Sequence, residues 1–263
     1  MSADPIPTRV AHAEWGDNRF QGYSVAKDLL GSEPWLGIVA LGITGRRLTE
    51  SERGLLDDLG VIMTVADPRI WPLKLTRLVA SYGDALAGLA AGALAVDEAL
   101  IGNWTFWGMA GLLRSLRRSV STPDDRSGIE LACRTQLGSM RRIPGFGVSS
   151  RPVDERVEML KLRVAARGRE RLEYWTLFEN VSEAVFRMKG LRPNIASAAA
   201  AVCLDLGFDE RETAVLSAFI GLSDFLPNAA EGAVQMAPAL QSLDPASIRY
   251  VGPPPRDSGR TPR

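Results

Sequence analysis

The sequence predicts an all-helical protein, and three observations carry that reading. Apolar residues recur at helical spacing in one segment after another, as in Leu36, Val39 and Leu41 or in Leu73, Leu78 and Val79. Residues suited to helix starts and breaks stand between those segments, among them Thr49-Glu50, Asp67-Pro68 and Gly190 to Asn194. Finally, 263 residues of which 46% are hydrophobic can bury a substantial core, in one globular unit or in two closely coupled lobes.

In chain order, the segment to about Asn18 reads as irregular or short-stranded, and His12, the sole histidine, reads as a surface group near a terminus. Gly22-Tyr23-Ser24 leads through Val25 to Leu30 into the helix pattern Leu36, Ile38, Val39, Leu41 and Gly42. Thr49, Glu50 and Glu52 form a capping region for a helix carrying Leu55, Leu56 and Leu59. After the Asp67-Pro68 break, a helix passes Leu73, Arg77 and Tyr82. The alanine- and glycine-rich stretch Ala85 to Leu100 then permits close helix approach, within the chain or between subunits. Trp104, Phe106 and Trp107 read first as core packing and otherwise as a pocket wall. An exposed turn, Ser121 to Gly128, precedes a helix at Ile129 to Leu137. Later helices are expected over Val157 to Leu177, Phe178 to Met188, Ile195 to Leu206 and Asp209 to Ile220, and the proline-rich tail from Gly252 reads as disordered.

Charge and cysteine content exclude several function classes. Lys plus Arg and Asp plus Glu each number 31, so the overall charge offers no case for nucleic acid or an anionic membrane. Cys133 and Cys203 are too few for a disulfide scaffold or a four-cysteine zinc site, and no metal-ligand cluster is expected. No secretory pattern opens the sequence, charged residues and glycines interrupt the apolar runs, and a cytoplasmic location is expected.

One loop stands apart. Arg141 to Arg156 reads RRIPGFGVSSRPVDER, in which Pro144 removes a donor while Gly145 and Gly147 allow angles that other residues resist. Arg141 and Arg142 set two cations beside exposable backbone groups, a pattern suited to a phosphorylated, nitrogen-rich ligand or to a plain connector.

The segment resembles the signature loop of the citrate synthase and citryl-CoA lyase family, a Pro-Gly-aromatic-Gly-His run followed by an Asp-Pro-Arg-like element. The matching residues are Pro144 to Gly147, Asp154 and Arg156. The Gly-Tyr entry at Gly22-Tyr23 and Pro193-Asn194-Ile195 add to the resemblance, which covers roughly Gly22 to Glu231. It implies an all-α fold with a citrate synthase-like large helical domain, residues 1–148 and 219–263, a smaller helical domain, residues 149–218, and a cleft between them. It also implies a homodimer built on the alanine-rich helix. Coenzyme A or an acyl-CoA is expected as substrate, held by Arg141, Arg142, Ile143, Pro144, Gly145, Phe146 and Gly147.

The family's catalytic groups are missing. Val148 stands where the loop's histidine would be, Ala196 at the catalytic aspartate and Leu222 at a substrate-binding arginine, while Leu100 to Gly111 carries no histidine in either register. Arg77 and Arg156 match family arginines that could bind an anion or form structural ion pairs. General acid–base groups contribute about 10² to 10⁴-fold each, so ordinary citrate synthase turnover is not expected. The substitutions make the cleft less polar, with Trp71, Trp104 and Phe225 as further lining candidates. The leading expectation is therefore an atypical CoA-thioester enzyme forming or cleaving a carbon–carbon bond on a bulkier, less charged partner. Asp67, Tyr82, Asp154 and Asp224 are its candidate proton-transfer groups. The alternative is a catalytically silent CoA-binding or heteromeric subunit.

Overall fold

The computed structural model describes residues 7–65, 69–98, 102–148, 151–235, 246 and 249–254. A small antiparallel sheet opens the chain, formed by β1 (Ala11–His12), β2 (Arg19–Phe20) and β3 (Tyr23–Ser24) in that order, with Ala11 opposite Phe20 and Arg19 opposite Ser24. A π-helical turn, Val25–Leu29, leads from it. His12 is exposed and lies 3.6 Å from Glu14, as a surface histidine should.

The remainder is helical: α1 (Trp35–Thr44), α2 (Glu50–Met63), α3 (Trp71–Tyr82), α4 (Ala85–Glu98), α5 (Asn103–Arg118), α6 (Arg126–Leu137), α7 (Glu155–Ala166), α8 (Glu173–Lys189), α9 (Ile195–Asp205) and α10 (Glu210–Ala233). Local chemistry sets many of the boundaries. Thr49 and Glu52 form a reciprocal capping box at α2, and Asp209 with Glu212 repeats it at α10. Asp125 caps α6 by accepting from Gly128 N–H, which starts that helix three residues before the expected Ile129.

The sequence pattern over Val157 to Leu177 does not form one helix. α7 stops at Ala166 because Gly168 takes a left-handed φ of 64° and its N–H bonds back to the Ala165 carbonyl, while Arg169 N–H returns to Val164. α8 restarts at Glu173 because Asp205 reaches across from the end of α9, accepting the Tyr174 and Trp175 N–H groups at 2.8 Å each. A partner this distant in sequence leaves no local signal. α10, conversely, continues past Ile220 to Ala233 and crosses the 218/219 position at which the two lobes were divided.

The core is organised around α9, which is buried on every side from Ile195 to Leu204. A helix that is apolar all round belongs in the interior, and its alanines let α5, α7, α8 and α10 come close. The small residues of α4 serve a similar purpose within the chain. A Cβ on Gly92 would stand 2.6 Å from the Phe225 ring of α10, so only glycine permits that crossing. The other side of α4 leaves Leu86 and Leu94 exposed. In α5, Phe106 is buried as expected of a core residue, but Trp104 and Trp107 are 52% and 56% exposed and do not pack in the core. α10 is the helix among the described residues long and apolar enough to cross a bilayer; here it packs against α3, α4 and α5. Of the tail read as disordered, the part beyond residue 254 lies outside the described residues.

Candidate functional site

The Pro-Gly-Phe-Gly loop is fastened to the entry of α9. Phe146 pairs with Pro193 in an isolated antiparallel bridge, flanked by Gly147 N–H to the Arg192 carbonyl at 2.8 Å and Asn194 N–H to the Gly145 carbonyl at 2.9 Å. The Asn194 side chain works in both directions, donating to the Gly147 carbonyl at 3.0 Å and accepting from Ala196 N–H at 3.0 Å as the cap of α9. Gly145, at φ 75°, is pressed so close to Ser197 and Met109 that a Cβ would lie 2.8 Å from Ser197 Cβ. Ile143 and Phe146 are buried, so they anchor the loop. The Phe146 carbonyl takes no part in the bridge and has no partner among the described residues. Arg141 and Arg142 are exposed at the loop's start with no ion-pair partner among the described residues, leaving both charges available to an anion.

Below this loop, the start of α7 meets the start of α9. Arg156 grips Asp154 in a two-pronged pair, Nε to Oδ1 and Nη2 to Oδ2, each 2.8 Å. Asp154 Oδ2 also accepts the Ile195 N–H at 2.9 Å, so a buried carboxylate sits at the positive end of α9. Burial opposes its ionisation, but the Arg156 guanidinium and the Ile195 and Arg156 N–H groups outweigh that and hold the carboxyl below the usual range. The third Arg156 nitrogen, Nη1, has only a 3.5 Å contact with the Val65 carbonyl.

Asp224, in the middle of α10, lies within the electrostatic reach of Arg156. It is 6% exposed, and its Oδ1 is buried without a hydrogen-bond partner. Burial pushes its carboxyl up to about 7 against the pull of Arg156. The fold thus brings three of the sequence-selected residues, Asp154, Arg156 and Asp224, to one place next to the loop.

Other candidates are elsewhere or otherwise engaged. Arg77 donates to Glu231 at 2.8 Å and to Asn228 and Gln235 at 3.1 Å each, fastening α3 to the end of α10. Tyr82 is 53% exposed at the last position of α3. Trp71 and Trp104 are about half exposed, whereas Phe225 is buried against α4. Ala196 is buried inside α9, and Val148 and Leu222 are half-buried. Asp67 lies outside the described residues.

Two residues essential to this geometry were not among the site residues selected from the sequence. Asn194 has a readable signal, an asparagine opening an alanine helix, but its hold on Gly147 is tertiary. Gly108 has none: a Cβ there would stand 3.1 Å from Pro144 Cγ, so it admits the loop against α5. A separate groove of about 510 Å³ runs beside α7 and α8, lined by Val157, Trp175, Phe178 and Pro193, with Asp124, Glu158, Glu179 and Glu183 outnumbering Arg126 and Lys161. Such an excess of carboxylates repels phosphate, which favours the Arg141-Arg142 side for any phosphorylated ligand.

No family model matches the sequence, and no curated protein matches it. Solved structures do match the fold. The citryl-CoA lyase of Hydrogenobacter thermophilus superposes with a TM-score of 0.80 at 23% identity, covering 96% of each chain. A mutant ATP citrate lyase of Methanosaeta concilii, solved with (3S)-citryl-CoA, gives 0.72 at 15% identity, covering 97% of this chain and 43% of that one. The citrate synthase of Thermoplasma acidophilum, solved with carboxymethyl coenzyme A and oxaloacetate, gives 0.55 at 16% identity, covering 88% and 60%. The chain therefore has the citrate synthase-like helical fold.

Proposed function

We propose that this protein is a CoA-thioester enzyme that forms or cleaves a carbon–carbon bond on a partner less charged than citrate. The observation that carries the reading is how the arginines selected from the sequence are engaged. Arg141 and Arg142 remain open at the loop, while Arg156 is clasped by Asp154 and Arg77 by Glu231. The first pair is suited to the phosphates of a coenzyme, with the Phe146 carbonyl, unpartnered among the described residues, as an acceptor for an adenine amine. The second pair has its charge already balanced, so a tricarboxylate would be desolvated without a matching set of cations. Solved proteins of this fold include complexes with citrate and coenzyme A, which supports the same class of ligand here.

Chemistry next to a thioester needs a base at the α-carbon and a hydrogen-bond donor near the enolate oxygen. Asp224 and Arg156 are the groups available for those tasks. A homodimer is part of the proposal, because Leu86 and Leu94 leave an apolar outer face on α4. A monomer at all concentrations in light scattering would remove it.

The second reading, a silent CoA-binding subunit, is favoured by one observation: Asp154 is consumed by structural bonds, and Ala196 offers no functional group. Calorimetry with coenzyme A, acetyl-CoA and phenylacetyl-CoA tests what both readings share. Arg142→Ala is expected to weaken all three similarly. No heat at about millimolar ligand would remove both.

A further inference from the structure

We propose that Asp224 is the group that moves the α-carbon proton at this site, its carboxylate delivered from α10. The assignment rests on the CoA-thioester reading above and selects one residue within it.

The geometry separates Asp224 from Asp154, the other carboxylate at this place. Asp154 has both oxygens bound, to Arg156 and to the α9 N-terminus, and a carboxylate used in this way holds no lone pair ready for a substrate proton. Asp224 is as deeply buried, at 6% exposure against 5%, yet its Oδ1 has no partner among the described residues. A buried polar atom without a partner costs stability, typically about 1–3 kcal/mol, and a group that engages a substrate is a physical reason to carry that cost.

Its surroundings suit the task. Arg156 is the charged group whose field acts on Asp224 among the described residues; one turn further along α10, Asn228 donates to the Asp224 carbonyl and accepts from Arg77, whose charge is taken up by Glu231. From α4, Gly92 brings only backbone against the neighbouring Phe225. With a carboxyl pushed up to about 7, Asp224 is strong enough as a base to take a carbon-bound proton and acidic enough to return it at neutral pH.

The step balances without a further reactant. Asp224 takes the proton from the carbon beside the thioester carbonyl, the C–H pair moves into the C–C bond, and the carbonyl pair moves onto oxygen as an enolate that accepts a hydrogen bond from Arg156 Nη1, the guanidinium nitrogen Asp154 does not take. Reversal returns the proton to carbon, and in D₂O it returns a deuteron.

The experiment measures that exchange in D₂O with acetyl-CoA, propionyl-CoA and phenylacetyl-CoA, alongside calorimetric binding of each. The wild type is expected to exchange, with a rate that rises about tenfold per pH unit below about 7 and levels above it. Asp224→Asn is expected to bind the thioesters as wild type does while losing at least about a hundredfold in exchange, and Asp224→Glu to regain part of it. Exchange by Asp224→Asn at the wild-type rate overturns the assignment, as does binding without exchange of any thioester by the wild type. Absence of binding overturns the CoA reading itself, and the assignment with it.

Discussion

Arg156 closes on Asp154 through two 2.8 Å bonds although only Glu155 separates them, and the same carboxylate takes the first N–H of α9. Arg156→Ala leaves that carboxylate buried with only two backbone donors, the N–H groups of residues 156 and 195, and no balancing charge. The expected cost is about 3 kcal/mol, at the lower end for a broken buried pair because the guanidinium keeps 26% exposure. The folded value of Asp154 is depressed, so the pair's contribution is present above the unfolded value of 3.8 and is lost as pH falls through the folded one. Denaturant melts of both proteins are therefore expected to differ near neutral pH and to converge in acid.

Asp224 runs the opposite way. Its folded value, about 7, lies above the unfolded 3.8, so the folded protein binds the extra proton and stability falls as pH rises between the two. Asp224→Asn removes that penalty. The variant is expected to gain up to about 4 kcal/mol near pH 8 and nothing near pH 4, read from melts at the two pH values. Equal gains at both would show that ionisation is not the source.

The end of α9 holds the start of α8 through Asp205. Asp205→Ala releases the Tyr174 and Trp175 N–H groups together, and the expected loss is about 2 kcal/mol, the upper range for a helix cap, with faster amide exchange in the first turn of α8. Unchanged exchange at those two amides would count against the capping role.

Both cysteines are inert in the folded state. Burial pushes the Cys133 thiol up to about 11, aided by Glu130, and the Cys203 thiol up to about 12. Thiol reagents at about pH 8 are expected to label neither until denaturant is added, and then to label both. Rapid labelling of the native protein would contradict the packing around α9 and α6.

What the sequence determined was whatever depends on near neighbours. The Thr49 and Glu52 capping box, the helical spacing of Leu73 to Val79, the turn imposed by Pro144 and Gly145 and the all-round apolarity of Ile195 to Leu204 are each settled within a few residues. The tertiary structure alone decided how distant groups share their bonding capacity. Asp205 restarts a helix thirty residues upstream in the chain, Gly92 places its bare backbone against Phe225, and Asn194 ties Gly147 to α9. The same holds for the site: Asp154, Arg156 and Asp224 were legible as charged residues, but only the fold separates a carboxylate with every lone pair taken from one buried with an oxygen to spare. Hydrogen-bond capacity is limited and is assigned over the whole packed molecule, so which carboxylate is left with a free oxygen is fixed only when every neighbour is in place.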